Sequence, residues 1–142
     1  MNSKKRLAII VSTFLLGFIG YRIFFNKIPG EVKSLTFESI KAFNTPINIY
    51  QENPSLPING SYLQSIKDLS DKTAYFGQKY PDNPEINNCL DYIDSYNNQV
   101  LNIFTKINQT IVLSGFYELD DFEQDSTENL QTQDLMLKAC GI

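Results

Sequence analysis

Few side chains in this sequence are equipped for chemistry, and their spacing is unfavourable for most of it. There are two cysteines, Cys89 and Cys140, which form no CxxC motif, and there is no histidine anywhere in the chain. A zinc site would therefore lack two further good ligands, and Ser-His-Asp or Cys-His nucleophilic machinery is excluded. Carboxylates stand close together at Asp91 and Asp94, one helical turn apart, and at Asp120 and Asp121. Paired acids are what glycoside hydrolysis requires, but acid pairs on a helix commonly face solvent, and no pocket follows from the pattern. The seven glycines are dispersed, without a P-loop or GxGxxG. The expectation is a protein that is not an enzyme and uses no cofactor and no metal.

The cysteines carry a different implication. Outside a reducing cytosol an even count points to one disulfide, Cys89 with Cys140. The other feature with functional character runs from Phe116 to Asp125, where Glu118, Asp120, Asp121, Glu123 and Asp125 alternate with Phe116, Tyr117, Leu119 and Phe122 and no basic residue intervenes. The order of an EF-hand is missing, so calcium is a poor fit. Tyr117, Glu118, Asp120, Asp121, Phe122 and Glu123 are the candidate contacts for a protein partner of basic character. The competing reading is a solvated loop whose aromatics cap the fold. Charge agrees with either. The chain totals −4, yet all sixteen acids lie from Glu31 onward, opposed there by only seven lysines, which leaves that part near −9. Such a surface repels nucleic acid and anionic lipid.

Helices must position these residues. Val32, Leu35, Thr36, Ile40 and Phe43 recur at helical spacing and predict a short amphipathic helix over 31–43. Thr45-Pro46, Asn53-Pro54, Leu56-Pro57 and Asn59-Gly60 then read as turns over 44–60, with an edge strand at 47–50 conceivable. Ser61 is a suitable N-cap for a helix whose face is Tyr62, Leu63, Ile66, Leu69, Thr73 and Phe76, stopping at Gly77. Asn83-Pro84-Glu85 supplies cap, N1 proline and first-turn acid for a second helix. Its seam, Ile86, Leu90, Ile93, Val100, Phe104, Ile107 and Ile111, is nearly regular until Ser114-Gly115, and the gap at Asn97 is either where a polar residue would set the register of a coiled coil or a position that simply faces water. The short loop 78–83 forces these two helices into an antiparallel hairpin. A last helix is predicted from Asp125 or Ser126, with Leu130, Leu137 and Met136 inward, ending at Cys140-Gly141. Its length allows Cys140 to return to Cys89.

At the other end of the sequence, Lys4, Lys5 and Arg6 precede an apolar run from Leu7 to Phe25 that includes Phe14, Leu16 and Phe18. Nineteen helical residues rise ~28 Å, about one hydrocarbon core, with Arg22 near enough to the end to reach the headgroups. A cleaved signal peptide is the rival, but Gly17 or Gly20 at −1 would place Leu15 or Phe18 at −3, where a small residue is needed. The fold expected is all-α: a cytoplasmic leader (1–6), a single transmembrane helix contacting lipid through 7–25, a hinge (26–30), and an extracytoplasmic helical bundle (31–142) built on the αα-hairpin with one long helix. The positive-inside rule places the N-terminus in the cytoplasm and the bundle in the periplasm of an inner membrane. The work expected is binding. An accessory or scaffold subunit of a membrane complex is the first reading, and a tethered inhibitor or immunity protein against a basic toxin or wall hydrolase the second. Self-assembly through the long seam, with Thr13 and Gly17 letting anchors approach, is a third.

Overall fold

The computed structural model describes residues 28–115, 117 and 119–142, the last of these with residues 119–121 and 123 as backbone only. The run 7–25 and the leader therefore lie outside the described residues; among the described residues no helix is long and apolar enough to cross a membrane. Four helices make up the described part: α1 Gly30–Glu52, α2 Gly60–Lys79, α3 Pro84–Ser114 and α4 Leu119–Ala139. No strand occurs among the described residues, so the all-α expectation holds and the edge strand at 47–50 does not.

The helices run up, down, up and down. Glu31 and Glu38 on α1 pair with Lys79 and Lys72 on α2, at 2.7 and 2.8 Å, which sets those two antiparallel. Ile58, just before α2, meets Asn108 late in α3, and Lys106 on α3 pairs with Asp125 on α4 at 2.7 Å. Lys33 early in α1 donates to the Gly141 carbonyl at 3.0 Å, closing the ring of helices. The α2–α3 and α3–α4 interfaces are the broadest, and α2 and α4 sit at opposite corners without touching among the described residues. The long α3 is thus the spine. Its seam is buried as expected from Ile86 to Ile111, capped by Asn83, whose side chain accepts from the Glu85 and Ile86 amides. Gly115 ends it with φ of 84°, a left-handed conformation that favours glycine.

Three expectations are corrected. First, α1 does not stop at Phe43 but continues through Pro46 to Glu52. An interior proline costs ~3 kcal/mol because its missing N–H and its ring disturb the preceding turn. Here Pro46, Ile47 and Tyr50 are all buried, continuing the stripe of Val32, Leu35, Ser39 and Phe43. Ile47 and Tyr50 alone contribute ~1.5–3 kcal/mol each by burial, enough to outweigh the break. The Thr45 hydroxyl also donates to the Lys41 carbonyl at 3.0 Å, supporting the turn the proline weakens. Second, α2 begins one residue before Ser61, because the cap is Asn59, which accepts from the Ser61 amide at 2.9 Å. It also runs past Gly77 to Lys79.

Third, α4 begins at Leu119, six residues before Asp125, so the acidic stretch opens a helix rather than forming a loop. Its inward stripe is Phe122, Asn129, Met136 and Cys140, whereas Leu130 is 58% exposed and Leu137 half-buried. Cys140 fixes that rotation: it lies at disulfide distance from Cys89, with Sγ–Sγ 2.04 Å and Cα–Cα 4.8 Å. At the other end of α4, Phe122 packs on Tyr50 with ring centroids 5.9 Å apart.

The centre of the bundle is aromatic, Phe43 stacking on Phe104 at 5.9 Å and meeting Tyr96 edge-on at 6.4 Å. It is also unusually polar. Thr36 and Ser39 from α1, Asn97 from α3 and Asn129 from α4 are all fully buried. Both hydroxyls and both ends of each carboxamide lack a hydrogen-bond partner within the protein. Asn97 therefore does not face water. Burial pushes the Tyr96 phenol far above its ordinary range.

Candidate functional site

The bundle has two unlike poles, separated by the ~34 Å length of α1. Where the chain enters, the structure is closed by bonds. Glu31 accepts from Lys79 and from the Tyr80 hydroxyl, and these hydrogen bonds hold its carboxyl below the ordinary carboxylate range. Lys79 also lies over the Phe76 and Tyr80 rings. The Cys89–Cys140 contact and the Lys33 hydrogen bond lie at this end as well.

The opposite pole is open and apolar. It is built from the end of α1, the 53–59 connection, the end of α3 and the start of α4. Asn108 determines its shape. Its Oδ1 accepts from the Ile58 amide at 2.7 Å and its Nδ2 donates to the Ile58 carbonyl at 2.9 Å, a two-point clamp holding the connection against α3. Ile58 is buried beneath that clamp, while Leu56, two residues earlier, is 48% exposed and Ile49 on α1 is 43% exposed. Leu56, Ile49, Pro46, Pro57 and Tyr62 line a hollow of about 200 Å³. One turn beyond Asn108 on the same side of α3 stands Val112, followed by Leu113, and they are 82% and 87% exposed.

Behind this surface the sequence-predicted residues divide. The Tyr50 hydroxyl donates to the Tyr117 carbonyl at 3.1 Å, and the Tyr117 hydroxyl donates to Asp125 Oδ2 at 2.7 Å, where Lys106 also binds at 2.7 Å. Burial, and then the Asp125 hydrogen bond, push the Tyr117 phenol up to about 12. The Lys106 ammonium is held charged first of all by its hydrogen bond to Asp125. Tyr117 and Phe122 are therefore core residues that latch α4 to α1, and they are not available as partner contacts. Asp120 and Asp121 fall in the first turn of α4 and Glu123 in the next. Acids there also favour the helix dipole, a structural reason for their presence. Glu118 and Phe116 lie outside the described residues.

No cluster of residues able to hold a metal occurs among the described residues. Asp94 accepts from Asn98 at 3.0 Å and Asp91 is exposed on the outer face of α3. A shallow cleft of about 430 Å³ between α1 and α2 is lined by Glu38, Lys41, Tyr62, Asp68 and Lys72, with the Glu38–Lys72 pair across it. A smaller one of about 170 Å³ between α3 and α4 holds the Lys106–Asp125 pair. Neither is lined by Asp91 or Asp94.

Sequence reasoning overlooked Val112, Leu113, Leu56 and Ile49. The signal was present in the triplet Ile111-Val112-Leu113: a helix with one buried stripe covers one of three consecutive apolar residues and leaves the others on its outer sides. Comparison of the chain with protein-family models, with curated proteins and with solved structures gives no match to any of them.

Proposed function

We propose that this chain is a membrane-tethered, non-enzymatic binding protein of the cell envelope, an accessory or scaffold subunit of a larger membrane complex. The span 7–25 would hold it in the inner membrane, N-terminus in the cytoplasm, and the bundle would stand in the periplasm. One observation carries this reading: the pole at which the chain enters is sealed by ion pairs and the cysteine pair, and the opposite pole displays unpartnered apolar side chains. A domain held at one end and adhesive at the other suits bridging better than turnover. The cysteine pair agrees with an oxidising compartment.

Purification of the full chain from its own membranes is expected to recover a second protein in fixed proportion, and replacing residues 7–25 with an unrelated span is expected to impair that assembly. Recovery of this chain alone would refute the reading. Indifference to the new span, with the partner still bound, would favour the second reading, a tethered inhibitor or immunity protein. That reading is supported by the excess of sixteen acids over seven lysines from Glu31 onward.

A further inference from the structure

We infer that the open pole is a docking surface for a protein segment that presents apolar side chains flanked by lysine and arginine. The inference rests on the binding function proposed above and specifies where and what the domain binds. Val112 and Leu113 contribute nothing to the core from their positions, being more than four-fifths exposed. Val112 stands one turn beyond Asn108, which holds Ile58, and Leu56 and Ile49 border a hollow of about 200 Å³ at the same end, able to accept a side chain. Several large apolar side chains exposed at one end of a domain mark interaction sites more often than single scattered ones do. The surface is also preformed: the Asn108 clamp fixes the 53–59 connection, and the hydrogen bonds from Tyr50 to Tyr117 and from Tyr117 to Asp125 fix the start of α4. A preformed surface loses little freedom on binding.

Charge selects the occupant. The backbone places Asp120, Asp121 and Glu123 at this pole, in the opening turns of α4, with no basic residue among them. Glu52, exposed at the end of α1, adds another carboxylate. A second copy docking pole to pole would set these acids against each other. The tethering membrane lies at the far end, ~34 Å away along α1, and anionic headgroups would be repelled. A partner with an apolar centre and a cationic rim satisfies both parts of the surface, the rim charges steering approach and the apolar centre prolonging the contact.

The test is site-directed photocrosslinking with the full chain in its native membranes. A photoreactive phenylalanine analogue is placed at position 113, and in separate samples at positions 67 and 71 on the outer face of α2. The expected result is an adduct at 113 whose partner peptide contains both apolar and basic residues, with at most traces at 67 and 71. Salt at 500 mM, and separately the combined change Asp120→Asn, Asp121→Asn and Glu123→Gln, should each lower the adduct yield roughly fivefold or more. Val112→Ser should lower it roughly threefold or more without altering the helical circular dichroism. Adducts to lipid, to a second copy or to an acidic or uncharged segment would overturn the inference, as would adducts confined to 67 and 71 or a yield indifferent to salt and to the charge changes. In those cases a captured protein leaves the binding function standing. Absence of any adduct at all three positions would remove both.

Discussion

Breaking the Cys89–Cys140 crosslink should be the most damaging small perturbation of this domain. The two residues close a loop with a sequence separation of 51, spanning nearly all of α3 and α4. In the chain-entropy description, a loop of that length restricts the unfolded chain by ~4 kcal/mol at 25 °C. A domain of this size is expected to have ~6–17 kcal/mol in total, so the crosslink is a large fraction of it. With an unfolding entropy of ~0.24 kcal/mol/K for residues 28–142, the loss corresponds to a fall in Tm of about 15–20 °C. The informative comparison is oxidised against thiol-reduced protein. Reduction keeps both buried sulfur atoms and removes only the bond, whereas Cys89→Ala with Cys140→Ala also empties space and should cost a further ~1–2 kcal/mol. Because the chain has no tryptophan, urea unfolding is followed by tyrosine fluorescence and far-ultraviolet circular dichroism. The reduced protein should unfold at lower urea with a larger m-value, since its unfolded state exposes more surface. A reduced protein within ~1 kcal/mol of the oxidised form, or both thiols free in protein isolated under alkylating, non-reducing conditions, would refute the reasoning.

Other perturbations separate the remaining interactions. Asn108→Ala should cost ~2–3 kcal/mol in urea melts, because it orphans both the amide and the carbonyl of the buried Ile58; a loss below ~0.5 kcal/mol would mean the connection is held by packing alone. Asn129→Leu replaces a buried carboxamide lacking partners with a side chain of the same branching and should stabilise the fold by ~1–2 kcal/mol; destabilisation would show that the polar group is satisfied in solution. In alkali, Tyr117, whose pKa is raised to about 12 in the fold, binds its proton more tightly folded than unfolded. Its contribution is therefore complete below pH 10 and is lost as pH rises from 10 through about 12, so phenolate absorbance at 295 nm from Tyr117 should appear together with loss of ellipticity and not before it. Glu31 behaves oppositely: its lowered pKa favours the fold above its ordinary 4.5 and is lost as pH falls below that value, so Glu31→Gln should flatten the acid limb of the stability profile.

How far the sequence discloses the fold depends on which signal is local. Asn83-Pro84 and Gly115 bracket α3 within the chain itself, so its limits can be read directly, and the reach of α4 back along α3 made the approach of Cys140 to Cys89 a geometric consequence. Pro46 misleads because its local preference is real but is outweighed by the burial of Ile47 and Tyr50, a tertiary effect. The rotation of α4 was illegible for a related reason. Leu130 and Leu137 form the more apolar stripe, yet the helix instead buries Asn129, because Phe122 at one end and Cys140 at the other are each held by partners far away in sequence. Tyr117 and Phe122 illustrate the limit for sites: alternation of acids and aromatics looks the same whether the aromatics face a partner or Tyr50. For the exposed pole the triplet Ile111-Val112-Leu113 shows that two of three apolar residues must lie outside one buried stripe, but which two depends on how α3 is rotated against its neighbours.

The parallel course of α1 and α3 has a mechanical consequence. A pull applied at Leu113 and resisted at Ile28 would act along both helices in opposite directions, sliding one past the other rather than prising them apart. All the interlocked side chains between them, including Phe43 wedged against Tyr96 and Phe104, would then have to yield together, whereas peeling breaks such contacts one at a time. Load carried along this axis would meet the stiffest direction of the bundle, while the same load applied across α2 would meet a far more compliant one.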